Sequence, residues 1–116
     1  MKRYGRLHRA ALPFASIAAR LMAGLLRELG NIATRRGVQD AAQARYGAAL
    51  ALYRTLGDRW GESSVLNNLG NVAYDCGDYV TAQGHLMAAL ALYRELGNLP
   101  GEAKALNNLA NVAADC

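Results

Sequence analysis

Asn67, Asn68 and Asn71 sit in the stretch LNNLGNVAYDC (66–76), and the same amides return forty residues later as Asn107, Asn108 and Asn111 in LNNLANVAADC (106–116). A primary amide carries both a donor and an acceptor. A row of them can bridge the N–H and C=O groups of a bound peptide backbone whatever its side chains. The same groups can instead tie one helix to the next. Residues four apart share a helix face, so Asn67 and Asn71 point one way, as do Asn107 and Asn111. Leu66, Leu69 and Val72 then take the opposite, buried side. Asn68 and Asn108 fall between the two faces, where the helix-tying role suits them better.

Other reactive residue types form no constellation. His8 and His85 have no carboxylate or cysteine at ligand spacing, and a metal site needs three or four convergent ligands. There is no phosphate-binding Walker loop and no Ser/His/Asp or Cys/His arrangement. No catalytic residue, metal or cofactor is therefore assigned, and the chain is read as a non-enzyme. Cys76 and Cys116 occupy the same place in successive copies. Equivalent helices in a stack are separated by another helix, which puts them roughly 15–20 Å apart at 8–10 Å per packed pair. That is beyond the reach of a disulfide, so both are read as free thiols in a reducing cytoplasm.

The elements that hold these residues come from a repeat. Residues 46–76 laid over 86–116 give 20 identities in 31 positions, including AALALYR (48–54 and 88–94), LNNL, NVA and DC. A worn copy lies another forty back, with LGNIA at 29–33 matching LGNVA at 69–73. Self-similarity at this period is the mark of a solenoid. Each copy reads as two helices. Gly77 and Gly97 suit the left-handed stop position, Asp78 suits an N-cap, and Pro100 suits a first turn. The spacing predicts helices at about 14–36, 39–56, 60–75, 79–96 and 100–114, with a short one at 3–11. No strand is predicted.

Composition agrees. The chain has 116 residues and is 53% apolar with two prolines, which favours helix. No apolar run is long enough to span a membrane, and no membrane partner is assigned. Met1 to Ala19 has the basic start and apolar middle of a signal peptide, but Arg20 follows at once and the helical pattern runs on to Arg36. Residues 1–13 are therefore read as a basic N-terminal segment, followed by a repeat domain over 14–116 with copies at about 20–58, 59–98 and 99–116. Charge is split. Residues 1–45 hold nine of the thirteen Lys/Arg against Glu28 and Asp40, a net of +7, while residues 46–116 hold four bases and seven acids, a net of −3. A basic end of this kind attracts nucleic acid, and Arg35, Arg36 and Arg45 are the residues that would carry such a contact; a structural spacer that binds nothing is the other alternative.

The phrase LGNVAYDCGDYVTA and the places Leu66, Leu69-Gly70, Ala73, Ala82, Leu86 and Ala89 resemble the tetratricopeptide repeat family. The resemblance covers roughly residues 20–116. It implies an all-α solenoid of antiparallel helical hairpins, wound as a right-handed superhelix, and a scaffold that binds proteins or peptides. The copies depart from the family pattern in being 40 residues long and in filling its aromatic places with smaller residues. The 40-residue form is similar to repeats of bacterial signal-transduction ATPases and transcription regulators, and of kinesin light chain and cell-polarity adaptors. That likeness implies the interaction or sensor arm of a larger signalling protein. It also implies that first helices line a concave groove whose asparagines hold extended peptides.

The expected groove column is Arg27 and Asn31, then Asn67 and Asn71, then Asn107 and Asn111. Thr34, Arg35, Ser64, Tyr74, Asp75, Lys104 and Asp115 flank it. Gly70 and Ala110 are expected where the helices of a hairpin cross, with Ala82 and Ala89 opposite. Trp60 is read as packing between neighbouring hairpins, and His85 as an outer-surface residue. The stripe Leu106, Leu109, Val112 and Ala113 is expected to be bare on its forward side, which would invite self-association there.

Overall fold

The computed structural model describes the backbone of residues 2–116 and the side chains from Phe14 onward. Its five helices are α1 (Lys2–Arg35), α2 (Gln39–Leu56), α3 (Arg59–Asp75), α4 (Tyr79–Leu96) and α5 (Leu99–Asp115). Consecutive helices pack on one another, α1 on α2 and α3 on α4 as hairpins, with α2 against α3 and α4 against α5 joining them. The expected all-α solenoid is what forms.

The turns follow from residue types. Gly37, Gly57, Gly77 and Gly97 all have positive φ, between 65° and 79°, a backbone region that L side chains rarely adopt. After Gly37 stands Val38, which makes no side-chain cap, but after the other three a short polar side chain caps the next helix. Asp58 accepts from the Gly61 N–H at 3.0 Å, Asp78 from Thr81 at 3.2 Å, and Asn98 from Gly101 at 3.1 Å. Pro100 falls in the first turn of α5, as expected. The first helix departs from expectation. One continuous helix covers Lys2–Arg35, where a break between 11 and 14 was predicted.

Two kinds of close approach set the packing. Within a hairpin, a Cβ added to Gly70 would lie 2.6 Å from Leu86 Cγ, and one added to Gly30 would lie 2.5 Å from the Tyr46 ring. The crossing of α3 and α4 is thus where Gly70 was placed, with Ala82 and Ala89 fully buried opposite. Between hairpins, the rings of Tyr53 and Tyr93 lie on Gly61 and Gly101, leaving no room for a side chain. Arg54–Glu62 and Arg94–Glu102, at 3.1 and 3.0 Å, repeat at the same junctions. The core runs through the stack, from Ala23 and Tyr46 past Val65 and Leu66 to Leu90 and Ala105.

Two sequence expectations need correction. Tyr46 fills the second-helix aromatic place in the first copy, where the next copy has Leu86. Trp60 is 57% exposed and does not pack between hairpins; instead it lines a cleft of about 280 Å³ with Ser64, Tyr93, Pro100 and Lys104. His85 is half-buried. Its burial, aided by the Arg54 charge, lowers its pKa from 6.5, against a weaker opposing pull from Asp78.

Candidate functional site

The asparagine register is carried on α1, α3 and α5, but the two junctions between these helices use it differently. Between α1 and α3, Asn31, Thr34, Arg35 and Tyr46 meet Asn68 and Asn71 around a cavity of about 200 Å³. The Tyr46 hydroxyl donates to Asn31 Oδ1 at 2.6 Å, and the Thr34 hydroxyl donates to the Gly30 carbonyl at 2.9 Å. Asn31 Nδ2 donates to Glu28 at 3.3 Å. Asn68 and Asn71 are half-buried, and among the described residues their amides make no side-chain hydrogen bond. Arg35 is exposed at the rim. The cavity thus presents free amide donors and acceptors beside one cation.

Between α3 and α5 two of the amides bond to each other. Asn67 is only 3% exposed, and its Oδ1 accepts from Asn108 Nδ2 at 3.1 Å. A buried amide must be paired, and this pair ties α3 to α5. Asn67 therefore does not stand open on the expected column. Further along, the Tyr74 hydroxyl donates to Asp115 on α5, and this carboxylate raises the Tyr74 pKa.

The remaining expected residues are spread out. Arg27 is half-buried and lies 3.9 Å from Glu28. Asn107 and Asn111 are exposed on α5, as are Lys104 and Asp115, and Asp75 is exposed on α3. Ser64 is half-buried beside the Trp60 cleft. The structure brings Asn31, Arg35 and Asn71 together and leaves Asn107 and Asn111 apart from them. Tyr46 and Asn68 complete the cavity. Sequence reasoning missed Tyr46 and set Asn68 aside as structural; the signal for Tyr46 was an aromatic at a place the repeat reserves for one.

Comparison with known families now adds to this geometry. The tetratricopeptide repeat model matches residues 61–115. Residues 61–115 are a tetratricopeptide repeat segment. Repeats of this family generally mediate protein–protein interaction and typically form scaffolds without catalysis. Among curated proteins no match was found. The match spans α3, α4 and α5 and so contains both Asn67 and Asn71, while the worn copy that supplies Asn31 and Tyr46 lies before it.

The free cysteines fit the repeat geometry. Cys76 and Cys116 are both exposed and unpaired. Cys76 donates its thiol hydrogen to Gln39 Oε1 at 3.1 Å, linking the C-terminal end of α3 to the start of α2. No helix is long and apolar enough to cross a membrane among the described residues.

Proposed function

We propose that this chain is a non-enzymatic scaffold that binds an extended peptide segment across α1 and α3, and that it serves as the interaction arm of a larger signalling or regulatory protein. The observation that carries the reading is the cavity between α1 and α3, where Asn68 and Asn71 have free amides beside an Asn31 oriented by Tyr46. Amides with both donor and acceptor free match a peptide backbone, which offers both. Asn107 and Asn111 on α5 extend the same register and would meet a longer ligand.

Selection of displayed random peptides on the full chain tests this. Peptides enriched on the native chain are expected to bind the Asn68→Ala/Asn71→Ala variant about tenfold more weakly, since two hydrogen bonds at about 0.5–1.5 kcal/mol each are lost. Failure to enrich any peptide, or unchanged binding by the variant, would overturn the reading.

A second reading rests on the +7 charge of residues 1–45. Arg36 and Arg45 stand on one cleft at the α1–α2 turn, with Arg35 next in sequence. If nucleic acid is the partner, binding falls steeply with salt through counterion release, and charge reversal at these three arginines weakens it. Absence of a mobility shift with RNA or DNA at low salt disposes of this reading.

A further inference from the structure

Two apolar surfaces lie at opposite ends of the stack. On α1, Phe14, Ile17, Leu21 and Leu25 recur at helical spacing, and all four are more than half exposed. At the other end, Met87 of α4 joins Leu106, Leu109, Ala110 and Ala113 of α5 around a cleft of about 620 Å³. In the preceding copy the same register holds Leu66, Leu69, Gly70 and Ala73, which α4 covers. Leu66 is 2% exposed and Leu106 is 44% exposed. The cleft therefore has the shape of a seat for a helix.

We propose that two copies of this chain join head to tail, the α1 stripe of one copy seating in the α4–α5 cleft of the other. This is independent of the groove reading. Charge favours the pairing: the half of the chain that holds the α1 stripe carries +7 and the half that holds the cleft carries −3. Unlike ends attract, and like ends repel. Side-chain size favours it as well. Ala110 stands where Gly70 allows the closest helix approach, so a helix on α5 must sit slightly further out. The Phe, Ile and Leu side chains of α1 are long enough to fill that wider gap.

The α1 stripe is also unsuited to a hairpin of this chain's own repeat type. Leu21 stands in the register of Gly61 and Gly101, which lie directly under the Tyr53 and Tyr93 rings of the hairpin before. A leucine there excludes such a tyrosine. The contact proposed is heterologous, so it leaves one free end of each kind and permits chains longer than two.

Sedimentation velocity on the full chain across a concentration series tests the pairing. The native protein is expected to shift from monomer to dimer and longer species as concentration rises. Leu21→Glu spoils only the α1 end and Leu106→Glu only the cleft, so each alone should remain monomeric. Mixed in equal amounts, they should form a one-to-one dimer and nothing larger, because each retains one sound end. Both residues are exposed, so far-UV circular dichroism should be unchanged; Leu25→Glu and Ala113→Glu form a second pair if either variant loses helix. A native chain that stays monomeric overturns the proposal. So does a single variant that dimerises alone, which would mean like pairs with like, or a mixture that stays monomeric. A native monomer that instead co-sediments with phosphatidylglycerol vesicles, and loses this with Leu21→Glu, would assign the α1 stripe to a lipid surface and overturn it too.

Discussion

The junction between α1 and α3 and the junction between α3 and α5 carry nearly the same residues to opposite ends. At the second, Asn67 accepts a hydrogen bond from Asn108, and this contact holds the helices together. At the first, the place of Asn67 is taken by Arg27, which turns to Glu28. Asn68 is then left without its partner and lines a cavity instead. One substitution in the worn copy thus converts a structural amide into an available one. In a repeat protein the role of a residue is set by what its neighbour in the adjacent copy offers, and identical sequence is no guarantee of identical use.

What the junctions share should be the most sensitive to change. Tyr53 on Gly61 and Tyr93 on Gly101 are the same contact made twice. Leucine at either glycine is expected to destabilise by about 1–3 kcal/mol or more, as overpacking does. Chemical denaturation should show Gly61→Leu losing more cooperativity than Gly101→Leu, since only α5 lies beyond the latter. Equal and negligible losses would mean that the junctions do not depend on this contact.

A smaller effect should distinguish the junctions. Tyr46→Phe removes the hydrogen bond to Asn31, at a cost of about 0.5–1.5 kcal/mol, and leaves the Asn67–Asn108 pair intact. Thermal melting should fall modestly. Amide exchange should rise along α1 and remain unchanged along α5. A change on α5 would mean that the junctions are coupled and that the contrast between them is overstated.

These contrasts also mark how far sequence alone reaches. The ends of α2 and α4 were predicted to the residue and those of α3 and α5 to within one, because left-handed glycines and capping Asp or Asn residues are local signals that act within one turn. At α1 the local rule failed. Pro13 lacks the N–H of a regular helical residue, yet the helix runs from Lys2 to Arg35. The site was half legible for a geometric reason. Asn67 and Asn71 share a face only to within about 40°, four residues at 100° each. The edge of α5 falls inside that interval, covering Asn67 and leaving Asn71 open. No helical wheel for α3 alone can show where a neighbouring helix passes. Tyr46 was hidden by the same limit, since its hydroxyl acts on a residue fifteen positions earlier.

The smallest expected effect is of pH, on the outer side of the same stack. His85 is held neutral by burial and by the Arg54 charge, so its pKa in the folded state lies below the ordinary 6.5. The unfolded chain takes up the proton first. Stability is therefore fully present above pH 6.5 and declines as pH falls through the folded pKa. Melting temperatures should drop slightly from pH 7 into the acid range, and His85→Gln should remove that part of the slope. A variant with the same slope as the native protein would place the titration elsewhere.

The division of the asparagines is tested most directly by a crossed comparison of Asn67→Ala and Asn71→Ala, each measured for thermal stability and for capture of peptides selected on the native chain. Asn67→Ala should cost about 1–3 kcal/mol, because a buried amide pair is broken, and any loss of capture should track the loss of folded protein. Asn71→Ala should change stability by no more than about 0.5 kcal/mol and should weaken capture at full folding. The reverse pattern, with Asn71→Ala unfolding the chain and Asn67→Ala abolishing capture while folded, would contradict the account.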